Sequence, residues 1–539
     1  MSSDRPRFSV LTPVFDPPVE VLEACARSVH EQTGPTWEWV LVDDGSRDAR
    51  VREVLVRLAT DPRVTLLTRE ATGGISVASQ QGLHACTGEL VALLDHDDEL
   101  LPSALEVVDA YMPDGVDLAY SDEEIIAEDG EVLTVVSKPA WSPTRLRAHN
   151  YVNHLTVLRR EAALAVGGFR EGFDGSQDHD LLLRVTERAR GVHHVPHVLY
   201  RWRGVPRSVL TQGLSAKPGA WENGRRAVQE HCDRIGLHDR VDALVVPGIA
   251  TWYDVVPDPP RWPSVGLAAS VGATSLAPGA LEGWLGTWAG TLTGLPSTVV
   301  LAVADEHTPQ VRARAQAALE GRGVTAEVIG VDPSTPRSVA LQRAALSCDV
   351  EVLLLVSERA RPGRTDLVRR LVGASLEPDI GLVGAQVRGP GDVVAHAGYA
   401  LVGGGPRHLM AGLPAMTTAY TGAALVPGER SAVAVVAAAV RRDVFASVGG
   451  LSPRLHEAFV DVDLSLKLRR AGRRNLCLPS WVVLDPGAAD VLPRVDDHPG
   501  ALRLLRARWA RELAEDPYVN PRVRRDGFVR GATATSVAG

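Results

Sequence analysis

The sequence repeats one set of landmarks in its two halves. An Arg-Arg pair, a Val-Gly-Gly triplet and an Asp-X-Asp-Leu segment follow one another between residues 159 and 181. The same landmarks recur at nearly the same spacing between residues 441 and 464. Such self-similarity indicates that one structural unit is built twice. A chain of 539 residues is also too long for one ordinary core, so we expect two domains of the same fold.

Short apolar runs alternate with helical patterns within each half of the chain. Strand–helix alternation of this kind predicts a mostly parallel sheet with right-handed crossovers. The predicted fold class is therefore α/β, with two tandem Rossmann-like domains and a short helical C-terminal tail. The predicted strands lie at 8–11, 39–42, 64–67 and 90–94 in the first half, and at 264–270, 299–303 and 352–356 in the second.

A proline-rich stretch at 256–263 separates the two halves and is typical of a stiff interdomain linker. We therefore predict a first domain at 1–255 and a second at 264–500. The remaining residues, 501–539, are predicted to form a C-terminal helix and tail.

Composition excludes several classes of protein. Apolar residues at 45% and charged residues at 23% are typical of a globular protein, and a net charge of −9 argues against general nucleic-acid binding. The longest apolar stretch, 432–440, is too short to cross a bilayer, and the N-terminus lacks a signal-peptide core. Five scattered cysteines form no zinc or disulfide framework. These features predict a cytoplasmic protein.

Clustered acids follow one of the predicted strands. Asp95, His96, Asp97 and Asp98 come directly after the apolar run 90–94, at the strand end where open α/β sheets bind ligands. Packed carboxylates repel each other and are costly to desolvate, so an oxygen-preferring divalent cation that also binds phosphates fits between them. The alternative is a polar turn that caps the next helix.

Asp178 precedes a segment, 181–185, with helical periodicity, which predicts that it lies at a helix N-terminus. There the helix dipole and the free N–H groups favour the ionised carboxylate that a general base requires. Asp180 is two residues further on and cannot share the same helix face, so only one of the two is expected to point into a site. The alternative is that both are ordinary acids of a first helical turn.

Seven segments of the first half, read in order and spacing, resemble glycosyltransferase family 2, the inverting enzymes of the GT-A fold. The resemblance extends from about residue 8 to residue 207, and the second half looks like a further GT-A-like domain. The tandem layout and the late segment 516–521 also resemble bacterial enzymes that build surface polysaccharides such as O-antigen. The segments are Thr12-Pro13-Val14-Phe15, Val42-Asp43-Asp44-Gly45-Ser46, Gly73-Gly74-Ile75-Ser76, Asp95-His96-Asp97-Asp98, Gly167-Gly168-Phe169, Gln177-Asp178-His179-Asp180 and Leu199-Tyr200-Arg201-Trp202-Arg203.

The resemblance implies a metal-dependent inverting glycosyltransferase that uses a nucleotide-diphospho-sugar donor and Mg²⁺ or Mn²⁺. It implies that Asp178 is the catalytic base, that Asp97 contacts the metal and that Asp95 reaches the ribose or the metal. Asp98 either shares the metal role or caps a helix. The implied nucleotide-sugar residues are Pro13 and Phe15 around the base, Asp44 as an acceptor from the base, Gly74, Asp95 and Arg203.

Two groups of basic residues each allow a ligand-binding role and a structural or surface role. The guanidinium groups of Arg203 and Arg207 suit phosphate oxygens, but solvated surface arginines fit the pattern equally well. One of His193, His194 and His197 could complete a metal shell, with a structural histidine as the alternative.

The second half keeps the apolar pattern and loses the clustered acids. Asp95-His96-Asp97 faces Ser357-Glu358-Arg359, although Asp461 matches Asp178 by position. We therefore predict that the second half is a degenerate transferase domain with a scaffold, acceptor-binding or partner role.

The acceptor implied by the resemblance is a glycan, carried on a lipid at the inner membrane face. The protein would then contact the membrane peripherally, for which the Leu- and Arg-rich segment 501–511 is a candidate, with a helix packed on its own domain as the alternative. A sugar nucleotidyltransferase is disfavoured because no basic Gly-rich loop follows the first strand. The remaining alternative is a non-catalytic carbohydrate-binding or assembly protein.

Overall fold

The computed structural model describes residues 5–203, 218–246, 250–417, 419–485 and 491–526. These residues form two compact units. The first contains the chain up to Val255 together with Asn520–Arg525, and the second contains Val256–Val519 with Asp526.

A nine-stranded mixed sheet forms the centre of the first unit, with the strand order β3-β2-β1-β4-β8-β6-β9-β5 and with β7 paired to β6. The strands β1 to β4 are parallel, whereas β8 runs antiparallel to both β4 and β6. The strands are β1 Phe8–Val14, β2 Trp37–Asp43, β3 Val64–Thr68, β4 Leu90–Leu93, β5 Glu99–Leu100, β6 Leu118–Ile126, β7 Val132–Val136, β8 Thr156–Arg159 and β9 Val192–Arg203.

Helices cover both faces of this sheet because its parallel strands are apolar on both sides. In β1, Val10 packs with residues of α1 and α2, while Leu11 points to the opposite core beneath α3 and α7. The helices are α1 Val19–His30, α2 Ala49–Leu58, α3 Ile75–Ala85, α4 Ala104–Ala110, α5 Pro143–Ala148, α6 Arg160–Ala165, α7 Gln177–Thr186 and a longer helix Pro218–Arg234. A hairpin of β10 Asp239–Val246 and β11 Ala250–Pro257 follows, so β11 includes the first two residues of the predicted linker.

The second unit repeats this topology around a ten-stranded sheet. Its order, β14-β13-β12-β15-β22-β17-β23-β16, corresponds strand for strand to that of the first unit. The α/β class with two tandem GT-A-like sheets is thereby confirmed. The strands of this sheet are β12 Val265–Ser270, β13 Ser297–Ala304, β14 Val324–Val331, β15 Val352–Val356, β16 Ala360–Pro362, β17 Ile380–Gly389, β18 Val393–His396, β21 Gly428–Arg430, β22 Ala437–Arg441 and β23 Arg474–Leu484. Two further strands, β19 Tyr399–Val402 and β20 Gly405–His408, form a separate two-stranded sheet.

The helices of the second unit pack on its sheet in the same way. One of them, Pro499–Ala514, buries Leu505, Trp509 and Leu513 in the core of this unit. None of the helices in the described ranges is both long and apolar enough to cross a membrane. The other α-helices of this unit are Ala280–Leu292, Thr308–Leu319, Arg337–Ser347, Leu367–Ser375, Ala419–Gly422, Arg442–Ser447 and Val460–Arg470, and a last helix, Pro521–Asp526, belongs to the first unit up to Arg525.

The close approach of α3 to the sheet gives a test of the first core. A Cβ atom on Gly82 would lie 2.2 Å from Leu11 Cδ1 and 2.9 Å from Val42 Cγ2, and both of these side chains are fully enclosed. Because the neighbours have no free volume, we expect Gly82→Ala to lower the free energy of unfolding by about 1–3 kcal/mol in urea titrations.

The matched control is Gly290→Ala in the helix Ala280–Leu292, where an added Cβ meets no atom within 4 Å. There the better helix propensity of alanine is expected to raise stability by up to about 1 kcal/mol. Equal effects of the two substitutions would contradict the packing described here.

Candidate active site

A cavity of about 50 Å³ lies at the C-terminal ends of β1 and β4, beside the first turn of α7. Polar groups from three separate segments meet there: the end of β4, the chain before β8, and α7. Its lining includes the polar residues Asp95, Asn153, His154 and Asp178 and the apolar residues Leu11, Pro13, Leu93, Leu94 and Phe169.

Two carboxylates and one imidazole form an acid–histidine cluster at this edge, consisting of Asp95, Asp98 and His154. One potential ligand atom from each lies within 4.8 Å of the others. His154 Nε2 is 3.7 Å from Asp95 Oδ2. The sheet brings them together because β8 pairs antiparallel with β4, with Leu93 opposite Thr156. Residues just before β8 therefore lie beside residues just after β4.

Asp98 is buried, and β9 fixes its orientation. The Tyr200 hydroxyl donates to its Oδ2 at 2.6 Å, and the backbone N–H of Arg203 donates to its Oδ1 at 2.8 Å. Burial raises the pKa of Asp98, and the neighbouring carboxylates Asp95 and Asp97 act in the same direction. A positive charge beside Asp98 is therefore strongly favoured.

His154 supplies such a charge in the absence of a metal. Burial by itself would lower its pKa, but the hydrogen bond and charge of Glu123, together with Asp95 and Asp98, raise it to about 9. Glu123 also accepts the His154 backbone N–H at 2.8 Å. Lys138 donates from its buried ammonium group to Glu123 and to the His154 carbonyl, so the backbone of His154 is held at both its N–H and its carbonyl.

Asp178 begins α7 and reaches the cavity from the opposite side. Its Oδ2 accepts from Asn150 Nδ2 at 3.0 Å and from Asn153 Nδ2 at 3.3 Å, and its Oδ1 accepts the His179 backbone N–H at 2.7 Å. These three donors fix the orientation of the carboxylate.

Asp180, two residues further along α7, has a different environment. It is fully buried and forms ion pairs with Arg170 and Arg184, the latter at 2.6 Å. The two acids therefore point to different surroundings, and Asp178 is the one that lines the cavity.

Asp44, the predicted acceptor from the nucleotide base, is buried and bonded to a loop. It accepts from the Thr72 hydroxyl at 2.7 Å and from the backbone N–H groups of Gly73 and Gly74 at 2.9 Å each, and it pairs with Arg69 at 2.8 Å. Gly74 has a φ of 89°, and a Cβ there would lie 2.8 Å from Asp174 Oδ1. In this structure Asp44 shapes the loop that leads into α3.

The other predicted donor-site residues surround the same edge. The Pro13 carbonyl is 3.0 Å from His96 Nδ1, and the Phe15 ring is 41% exposed. Asp97 is exposed and lies outside the acid–histidine cluster. Arg203 directs its guanidinium to the carbonyl of Asp97 at 3.1 Å and to Glu99 Oε1 at 2.5 Å. Arg207 lies outside the described residues.

The three histidines near β9 have structural partners. His194 bonds to Asp122 at 2.8 Å, His193 contacts the Tyr111 carbonyl and His197 packs edge-on against the Tyr111 ring. The sequence interpretation missed His154, Glu123, Lys138 and the two asparagines that hold Asp178. The polar composition of the segment 149–154 was the available signal. Its position beside the end of β4, however, depends on the register between β4 and β8.

Residues 9–158, from β1 into β8, match the family model described as Glycosyl transferase family 2. These residues belong to glycosyltransferase family 2. It is 33% identical to the uncharacterized protein y4gI of Sinorhizobium fredii, over 97% of this chain and 58% of that protein. It is 30% identical to the O-antigen biosynthesis protein RfbC of Myxococcus xanthus, over 96% of this chain and 40% of that protein. The chain thus spans about half the length of these two relatives.

A third relative is aligned with only part of the chain. The amylovoran biosynthesis glycosyltransferase AmsE of Erwinia amylovora is 29% identical over 36% of this chain and 76% of its own length.

The equivalent positions of the second unit have different side chains and contacts. Glu358 follows β15, accepts the Gly272 N–H at 2.7 Å and pairs with Arg337 at 3.3 Å. Asp461 accepts the Tyr399 hydroxyl at 3.0 Å, and burial raises the pKa of Asp461 to about 6. Within the described ranges, an acid–histidine grouping with metal-ligand spacing is found only in the first unit.

The hydrogen bond from Tyr200 to Asp98 gives a test of the site. Removal of this hydroxyl leaves a buried carboxylate without one of its donors, so we expect Tyr200→Phe to lower the free energy of unfolding by about 1–3 kcal/mol. The control is Tyr111→Phe, which keeps the ring that contacts His197 and is expected to change stability by less than about 0.5 kcal/mol. Urea unfolding measures both, and an unchanged Tyr200→Phe protein would contradict this arrangement.

Proposed function

We propose that the first unit is a metal-dependent inverting glycosyltransferase that moves a sugar from a nucleotide-diphospho-sugar to an acceptor hydroxyl. The observation that carries this proposal is that Asp95 and His154 of the acid–histidine cluster line one cavity together with Asp178 in a family 2 domain. A cation site and a carboxylate base are the two groups that such a reaction needs.

The donor atoms of the cluster suit a divalent cation. Two carboxylates and an imidazole within 4.8 Å are compatible with Mn²⁺, and Mg²⁺ would take the carboxylates together with water. When bound, the cation would neutralise the charge that develops on the departing diphosphate. Asp95, Asp98 and His154 are the proposed ligands, and the exposed Asp97 remains a further candidate beside them.

Asp178 is the proposed base. Its carboxylate would take the proton of the acceptor hydroxyl while the hydroxyl oxygen attacks the anomeric carbon. The new carbon–oxygen bond forms on the face opposite the breaking bond to the diphosphate, which inverts the configuration. Asn150 and Asn153 would hold the carboxylate in place for this step.

The donor would bind along the end of β1. The exposed Phe15 ring and Pro13 offer an apolar surface for the nucleotide base, and the loop held by Asp44 closes that side. The Arg203 guanidinium is already bound to Glu99 and to backbone carbonyls. Its proposed role is therefore to hold the segment of Asp97 and Asp98 rather than to bind the diphosphate.

The acceptor is proposed to be a glycan of a cell-surface polysaccharide, in keeping with the names of the relatives RfbC and AmsE. A lipid-linked form at the inner face of the cell membrane, with a cytoplasmic protein in peripheral contact, is the corresponding location. The second unit is proposed to be non-catalytic for two reasons. The Asp461 carboxylate already accepts a hydrogen bond from Tyr399, and the described residues of this unit contain no acid–histidine grouping.

The two aspartates at equivalent helix starts test the assignment of the base. We expect Asp178→Asn to lower kcat about 10²- to 10⁴-fold, because an amide cannot take the proton. The matched variant Asp461→Asn should retain the wild-type rate. The measurement is transfer or donor hydrolysis across a panel of nucleotide-diphospho-sugars, with circular dichroism to show that both variants are folded. Full activity of Asp178→Asn would overturn the role of Asp178, and loss of activity in a folded Asp461→Asn would overturn the proposal for the second unit.

Metal removal tests the cluster. Chelation should abolish activity, and added Mn²⁺ or Mg²⁺ should restore it. We expect His154→Gln and Asp95→Asn to weaken Mn²⁺ binding at least about tenfold in calorimetric titrations, because each removes a ligand. Asp97→Asn, measured alongside, reports whether that residue contributes. Activity that survives complete chelation would contradict the metal-dependent mechanism.

A further inference from the structure

The late segment 516–521 has no part in the function proposed so far, although its polar residues Asp516 and Asn520 are buried. Asp516 is fully buried in the second unit and accepts the backbone N–H groups of Leu401 and Tyr518 at 2.7 and 2.8 Å. Asn520 belongs to the first unit and is also fully buried. The contacts of Asn520 lead to the proposed metal site.

The Asn520 amide group has a fixed orientation. Its Nδ2 donates to both carboxylate oxygens of Asp122, at 3.0 and 2.9 Å, and to the Lys138 carbonyl at 2.8 Å. Its Oδ1 accepts the Arg522 backbone N–H at 2.9 Å at the start of the helix Pro521–Asp526. The donor end of the amide therefore faces Asp122 and Lys138.

Asp122 and Lys138 belong to the two chain segments that hold His154 in place. Asp122 also accepts the Lys138 backbone N–H at 2.9 Å and the His194 ring at 2.8 Å. It immediately precedes Glu123, which accepts the His154 N–H. Lys138 reaches both Glu123 and the His154 carbonyl with its ammonium group. Asn520 thus joins the two segments of chain that hold His154 in the acid–histidine cluster.

We propose that Asn520 is a positioning residue of the metal site, acting through Asp122 and Lys138 on His154. This inference rests on the proposed function for its metal. An amide is required because the group must donate to a carboxylate and to a carbonyl at once. An aspartate of the same shape has no N–H to donate and would place a second carboxylate against Asp122.

The test compares two isosteric substitutions of fully buried asparagines. Asn520→Asp disturbs the link to His154. Asn475→Asp is the control, because the Asn475 amide donates to the Ser465 carbonyl at 3.0 Å in the second unit. Asn520→Ser removes the contacts to Asp122 without a new charge and serves as a second variant if the aspartate prevents folding.

Two measurements on the full chain read out the effect. We expect Mn²⁺ affinity of the folded Asn520 variants to fall by about 10- to 100-fold, the usual effect of changing a group that orients a metal ligand. Hydrogen exchange of the His154 backbone amide in the metal-free protein should become faster in the same variants. The Asn475→Asp protein should match the wild type in both.

The outcomes separate the two proposals. Wild-type protein that binds no Mn²⁺ would overturn the metal site, and the exchange rate of the His154 amide would still decide the role of Asn520. Folded Asn520 variants with the wild-type exchange rate at His154 would overturn the positioning role. Faster exchange at His154 in the Asn520 variants, absent in the control, would support it.

Discussion

Crowded carboxylates after β4 and within β6 are the electrostatic constraint on which the first unit's site depends. Carboxylates that are removed from water repel each other, and their burial is costly unless donors or cations face them. The partly buried His154 and the buried Lys138 meet this requirement, together with donors from Tyr200 and Asn520. The acids concerned are the buried Asp98, Asp122 and Glu123 and the partly buried Asp95.

This constraint explains why elements far apart in the sequence converge on one strand end. The compensating groups come from the residues after β7, from the chain before β8, from β9 and from the segment around residue 520. The chain before β8 and the strand β9 also contribute backbone donors, namely the His154 N–H to Glu123 and the Arg203 N–H to Asp98. The site is therefore a product of tertiary structure, even though Asp95 and Asp98 are close in sequence.

The strands of the first sheet could be predicted from local sequence patterns, whereas the histidine of the acid–histidine cluster could not. The apolar run at 90–94 predicted a buried parallel strand, and β4 occupies Leu90–Leu93 because both of its faces are covered. His154 was not predicted, since only the antiparallel register between β4 and β8 brings it to Asp95. The histidines considered as metal ligands lie in β9. Because β9 pairs with β6, His194 bonds to Asp122 and not to the acid–histidine cluster.

The second unit shows that this fold forms without the clustered acids of the site. Its sheet has the same strand order, yet Ser357 and Glu358 stand where the first unit has its acids, and Glu358 is neutralised locally by Arg337. The apolar faces of the strands are therefore sufficient to specify this sheet without a cluster of charges at its edge. Asp461 shows the same separation, because its carboxylate at a helix start is satisfied by Tyr399 from within the unit. Clustered acids that are costly to bury, and that the fold does not need, are then best explained by binding and chemistry in the first unit.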